Sequence, residues 1–202
     1  MKKYLKWIVA IIPFTLFIIL FILVINKKDM YLDSFVYSFI SKLINDKLSV
    51  IVKLFTHMAS TYAVISITLL VLLILKNKYY GLFLSIDLII TTILQIIIKN
   101  ICLRQRPIGI NLITQSGYSF PSGHSLTAFT FYGLIIYFIY KSNLNKKLKY
   151  ILIIILSLVI FMVGLSRMYL GVHYFTDVIA GYTLGLSFLI IYINFIKSKR
   201  VI

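Results

Sequence analysis

The stretch from Tyr150 to Ser166, YILIIILSLVIFMVGLS, contains no Lys, Arg, Asp or Glu and lies between Lys149 and Arg167. An apolar run of this length with a cation at each end predicts a helix that crosses a bilayer. The same reading extends outward to Trp7–Asn26, Leu54–Leu75 and Val178–Ile196, all free of charge, and to Tyr79–Ile98, which carries Asp87 in its middle and Gln95 near its end. Pro107–Tyr140 is also uncharged but too long for one crossing. Its first part holds Pro107, Gly109, Gly117 and Pro121, so a loop is predicted there and a helix from Pro121 or Ser122. The expectation is an all-α polytopic membrane protein, a six-transmembrane-helix bundle forming a single domain over residues 1–202.

Composition agrees. Of 202 residues, 61% are hydrophobic and 13% charged, against roughly 45–50% and about 25% in soluble domains. A soluble domain is excluded, and so is disorder, which needs low hydrophobicity. At about 20 residues per crossing, the length allows at most about eight to ten crossings, and six leave room for one working loop. The formal charge of +16 would suggest nucleic acid in a soluble protein. In a membrane protein it reads as topology signal, and no nucleic-acid partner is expected. With the N-terminus inside, inner segments hold Lys2, Lys3, Lys6, Lys76, Lys78, Lys141, Lys146, Lys147, Lys149, Lys197, Lys199 and Arg200 in short loops without acids. Both termini are then expected in the cytoplasm. Cys102 is the single cysteine, which excludes an internal disulfide.

Met1-Lys2-Lys3 before an apolar run resembles a secretory signal, but the run is too long and no Ala-x-Ala-like site follows, so an uncleaved first helix is expected. Between the first two crossings, residues 27–53 mix charges with Tyr31, Leu32, Phe35, Val36, Phe39, Ile40, Leu43 and Ile44 at helical spacing. That pattern predicts an external amphipathic segment at the membrane surface.

Ionisable residues gather where the last four helices end on one side, which this topology makes external. Lys99 ends the third, Ser122 and His124 start the fourth, Ser166 and Arg167 end the fifth, and His173 and Asp177 start the sixth. Snorkelling accounts for Lys or Arg at such ends but not for two histidines and an aspartate. Lys99, Arg106 and Arg167 offer a point charge and two planar forks suited to a phosphate-like oxyanion. Pro121-Ser122-Gly123-His124 adds a helix start with free N–H groups; Gly123 permits close backbone approach, and Ser122 either caps the helix or donates its hydroxyl. His173 and Asp177, four apart, are neighbours on one helical face. The aspartate can hold one ring nitrogen and leave the other free to attack. A metal's first and second shell, or a structural pair, are the other readings. Against a metal stand the missing further ligands and the surrounding cations. His124, on another helix, suits a general acid.

Lys99-x6-Arg106-Pro107, Pro121-Ser122-Gly123-His124 and Ser166-Arg167-x5-His173-x3-Asp177 together closely resemble the three-part signature of the type-2 phosphatidic-acid phosphatase superfamily. The signature motifs lie within residues 99–177, and no motif position departs from the pattern. The resemblance implies a metal-independent phosphohydrolase working through a phosphohistidine and requiring no cofactor. It implies His173 as nucleophile, Asp177 as its partner, and His124 as acid for the leaving group. Lys99, Arg106, Ser122, Gly123, His124 and Arg167 would cradle the phosphoryl oxygens. Small bacterial membrane members act on lipid phosphates such as phosphatidic acid and phosphatidylglycerophosphate, or on undecaprenyl pyrophosphate, and the resemblance implies such a lipid substrate in the bacterial plasma membrane. A phosphate-binding transporter or scaffold without turnover is the alternative, with Asp87 as its motive. Arg104 lies outside the signature, and its role is open. Asp87 reads foremost as a buried hydrogen-bonding group, and His57 as a structural histidine, with the substrate entrance as its alternative place.

Overall fold

The computed structural model describes residues 2–28, 30–109 and 111–199, with side chains from Trp7 onward. The described residues are helical, with no strands: α1 (Lys2–Ile25), α2 (Tyr31–Ser41), α3 (Asp46–Met58), α4 (Thr61–Ile74), α5 (Tyr79–Cys102), α6 (Gly123–Lys141), α7 (Lys146–Tyr169) and α8 (Phe175–Ser198). Four helices are long and apolar enough to cross a membrane: α1 from Trp7, α5, α7 and α8. The α3–α4 pair, bent by 50° at its break, makes a fifth if counted as one span.

Helix α6 is not among them, although the sequence reading counts it as a crossing. The physical reason is its position. It packs against α5, α7 and α8, burying Ser125, Thr127 and Thr130 alongside Leu126, Phe131 and Leu134. A helix that faces other helices can carry hydroxyls where a lipid-facing helix cannot, because those groups find protein partners. The α6–α8 crossing is close. A Cβ on Gly181 would stand 2.8 Å from the Ser122 carbonyl oxygen and 3.1 Å from the Leu126 nitrogen, so only glycine lets the first turn of α6 settle beside the second turn of α8. Helix α1 packs along α8, and its Phe17 stacks on Phe120 at 6.1 Å, fixing the chain just before α6 begins.

The region from 27 to 75 departs from expectation. In place of one amphipathic segment followed by one span at Leu54–Leu75, the chain forms α2, α3 and α4, with a break at Ala59–Ser60 inside the expected span. Local capping accounts for both helix starts. The Asn45 side chain accepts from the Leu48 N–H at 2.9 Å, and the Ser60 hydroxyl accepts from the Ala63 N–H at 3.3 Å, each satisfying an orphan donor that would otherwise oppose a helix start. Helix α3 does not only lie on a surface. Its Val52 is buried against Tyr169, Leu170 and Val172, and the Tyr169 hydroxyl accepts from the Asn45 N–H at 3.0 Å. Elsewhere the expected stretches extend by up to five residues at an end, and α6 starts at Gly123 with Ser122 as its N-cap.

Candidate active site

Three of the four arginines, Arg104, Arg106 and Arg167, converge with Lys99 around the loop between α5 and α6. Helix α5 ends because Leu103 adopts a left-handed conformation (φ +50°) and returns its N–H to the Lys99 carbonyl at 3.0 Å. This position usually belongs to glycine or asparagine, and the turn sends Arg104 and Arg106 across the helix ends. Lys99 Nζ donates to the Tyr118 carbonyl at 2.5 Å. The Arg106 guanidinium donates to the carbonyls of Gly117 (2.9 Å), Val172 (2.7 Å) and Ser116 (2.9 Å). Arg167, only 1% exposed, donates to Thr56 Oγ1 at 2.7 Å and Gln115 Oε1 at 2.9 Å, and its Nε has no protein partner. Lys99 and Arg167 thus keep unspent donors for an anionic ligand, whereas all five N–H groups of Arg106 are engaged, the remaining two at the Tyr118 carbonyl and at His173.

His173 lies among them. Its Nε2 is 3.2 Å from Arg106 Nη1. A guanidinium has donors and no acceptor, so Nε2 presents its lone pair and the ring proton sits on Nδ1. Burial, followed by the charges of Arg167, Lys99 and Arg106, holds this imidazole well below the usual histidine range. The ring is therefore neutral at pH 7, the state a nitrogen nucleophile needs.

The His173–Asp177 pairing has a different origin from the one the spacing predicts. His173 is not on the helix: Gly171 (φ +73°) turns the chain after α7, Tyr174 is the N-cap of α8, and Asp177 reaches back from the first turn. Its Oδ2 accepts from the Tyr174 N–H at 2.9 Å and lies 3.4 Å from His173 Nδ1. That separation exceeds a well-formed hydrogen bond, so Nδ1 is held close but not bonded. The other carboxylate oxygen, Oδ1, accepts from Arg104 Nη1 at 2.5 Å.

Lys99, Arg106, Gly123, His124, Arg167 and His173 all line one cavity of about 340 Å³. Asp177 stands behind His173, fully buried. Ser122 is also buried, and of the two roles open to its hydroxyl it performs capping, accepting from the Ser125 N–H at 3.4 Å and the Ser125 hydroxyl at 2.8 Å. Gly123 faces Gln95, and a Cβ there would run into Gln95 Oε1. Thr56 is buried while the neighbouring His57 is exposed and does not line the cavity. Asp87 is fully buried in the bundle, its Oδ2 accepting from the Thr130 hydroxyl at 3.1 Å. Sequence reasoning missed Thr56, Gln95 and Gln115, which ordinary polar composition hides. It also missed Asp33, although an acid that a helix buries in a chain with only five acids is a signal of sorts. Among the described residues no group of three or more His, Cys, Asp or Glu could hold a metal ion. Along α4 and α5 the cavity meets a second, apolar groove, sharing Ile65, Leu88 and Thr92 with it and continuing past Leu69, Leu72 and Ile93.

A family profile described as the PAP2 superfamily matches residues 79–200. The chain belongs to the PAP2 superfamily. Among PAP2 relatives, it is 45% identical over 87 residues to phosphatidylglycerophosphatase B of Bacillus subtilis, covering 41% of either chain. It is 33% identical over 141 residues to an undecaprenyl-diphosphatase of Sulfolobus acidocaldarius, covering 66% of this chain and 64% of the relative. The matched stretches thus span less than two thirds of these relatives' length. The crystal structure of a transmembrane PAP2-type phosphatidylglycerolphosphate phosphatase from Bacillus subtilis superposes with a TM-score of 0.79 at 28% identity, over 92% of this chain and 96% of the other. The PAP2 match starts at the first residue of α5, so it takes in all of α5–α8 and every signature residue.

Proposed function

We propose that this chain is a metal-independent lipid phosphate phosphatase whose active site opens at the outer membrane face. The observation that carries this reading is the neutral His173 ring, its Nε2 lone pair turned to Arg106 at the wall of a cavity lined by Lys99, Arg106 and Arg167. Nε2 attacks phosphorus, the bond to the leaving oxygen breaks, and His124 gives that oxygen a proton. The ring, now phosphorylated on Nε2 and protonated on Nδ1, is cationic, and the Asp177 carboxylate behind it offsets that charge. Water then attacks the phosphohistidine, gives its proton to His124, and releases phosphate. Lys99, Arg106, Arg167 and the N–H groups at Gly123 and His124 bind the phosphoryl oxygens throughout.

A divalent ion is not required by this scheme, because side-chain cations already neutralise the transferring group. The apolar groove that continues from the cavity suits an acyl or prenyl chain, so the substrate class is a lipid phosphate: phosphatidic acid, phosphatidylglycerophosphate or undecaprenyl pyrophosphate. Counting α3–α4 as one bent crossing and α6 as a crossing inside the bundle yields six, and the basic, acid-free loops support a cytoplasmic side for both termini. Nothing at Asp87 favours a transporter, since it bonds to Thr130 inside the bundle rather than lining the cavity.

One experiment tests chemistry and sidedness together. Right-side-out vesicles carrying the protein, treated with EDTA, should release inorganic phosphate from externally added dioctanoyl phosphatidic acid, and vanadate should inhibit. Activity that appears only in inverted vesicles would reverse the topology, and activity that requires an added divalent ion would end the metal-free account.

A further inference from the structure

Asp33 is the acid that the sequence places among surface charges, yet it is 5% exposed. Its Oδ1 accepts from the Thr176 N–H at 2.8 Å. Its Oδ2 accepts from the Thr176 hydroxyl at 2.8 Å and from Arg104 Nη2 at 2.6 Å. Arg104 Nη1 spans to Asp177 Oδ1 at 2.5 Å and also donates to Thr176 Oγ1 at 2.8 Å. The Tyr174 ring lies 4.1 Å below the guanidinium carbon. Burial works against a charge on Arg104, but Asp177 and Asp33 outweigh it and raise its affinity for the proton above the ordinary value. One planar fork therefore joins two buried carboxylates, one on α2 and one on α8.

We propose that Arg104 and Asp33 are positioning residues for the reaction, acting on His173 through Asp177. The proposal rests on the reading of His173 as nucleophile. With Oδ1 committed to Arg104, only Oδ2 remains to face Nδ1 of the ring. A carboxylate free to rotate would offer either oxygen, and at 3.4 Å a small rotation decides whether the imidazolium formed on phosphorylation is stabilised. The fixed charge of Arg104 also balances Asp177, so the ring proton stays on Nδ1. Asp33 in turn holds Arg104 and the first turn of α8. This assigns α2, which lies outside the matched family region, a part in the chemistry although it lines none of the cavity.

The test uses the full-length protein in detergent micelles with dioctanoyl phosphatidic acid. Wild type is first shown to turn over and to accumulate a phosphoenzyme that His173→Ala lacks; failure at this stage overturns the parent reading and this one with it. Arg104→Ala should then lower kcat by about 100-fold with KM within about threefold, as losses of orienting partners do. Guanidinium ion at about 50 mM should restore at least about tenfold of that rate by occupying the vacated site. Asp33→Asn should cost about tenfold in kcat, and the double variant should be no slower than Arg104→Ala, because one residue acts through the other. If Arg104→Ala does not fold, Arg104→Lys decides: a single ammonium cannot bridge both carboxylates, so kcat should still drop. Wild-type kcat in either Arg104 variant, a loss confined to KM, an absence of rescue in folded Arg104→Ala, or multiplicative losses in the double variant would each overturn the proposal while leaving His173 as nucleophile.

Discussion

Helices α5–α8 and helices α1–α4 contribute differently to the candidate site. The first group, with the loops that join its helices, supplies every residue of the three motifs. The second supplies partners: Asp33 to Arg104, Thr56 to Arg167, and the α3 start at Asn45 to the Tyr169 hydroxyl. The candidate reacting groups are held by short-range devices, a left-handed residue, a turn and two helix caps, whereas their supports come from 71 to 124 residues away in sequence. The candidate site is shaped locally, and its supporting contacts are long-range.

The sharpest way to break that contrast is His173→Ala. If the reacting groups reside wholly in α5–α8, turnover should fall by at least about 10⁴-fold, and rapid quenching with labelled substrate should trap an acid-labile, base-stable phosphoenzyme only in wild type. Persistence of that species in the variant would move the nucleophile elsewhere.

His124→Ala comes next. A lipid alkoxide needs a proton as it departs, so the first-turnover burst on phosphatidic acid should slow by about 10²–10⁴-fold. A nitrophenolate leaves as a stabilised anion, and the loss on p-nitrophenyl phosphate should be much smaller. Equal losses would reduce His124 to phosphate binding.

A support residue should behave differently. Thr56→Val removes the 2.7 Å acceptor for Arg167 Nη1, and a hydrogen bond to a charged group of this kind predicts a rise in KM of roughly tenfold, with kcat nearly unchanged. A matching drop in kcat would mean that α3 takes part in the chemical step.

The smallest effect is spectroscopic. Because His173 is held below its ordinary value of 6.5, its ring nitrogens should keep neutral-imidazole shifts at about pH 6 in a ¹⁵N spectrum of the folded protein. The sign for stability follows: the unfolded ring takes a proton below about 6.5 and the folded one does not, so acid favours unfolding through this residue, and nothing is lost above that pH. A midpoint near 6.5 would show an exposed ring.

Much was legible in the sequence because its signals are local. Charge-free runs announced the helices, since each must satisfy its own backbone in lipid, and the spacing within each motif marked Lys99, Arg106, Gly123, His124, Arg167 and His173, which the fold brings to one cavity. The break at Ala59–Ser60 was hidden, because a serine cap adds almost nothing to hydropathy. So was the true geometry of His173 and Asp177, since a turn and an N-cap bring them together rather than a helical repeat.

What the sequence by itself determined is the helical membrane character and the motif residues that meet at the candidate site, because burial in lipid and motif spacing are properties of neighbouring residues. Only the tertiary structure decided that Asp33, Arg104 and Asp177 form one buried chain and that Thr56 rather than His57 meets Arg167. Ion pairs and hydrogen bonds between helices depend on how those helices cross, and the close contact at Gly181 that sets the α6–α8 crossing leaves no periodic trace in the order of residues.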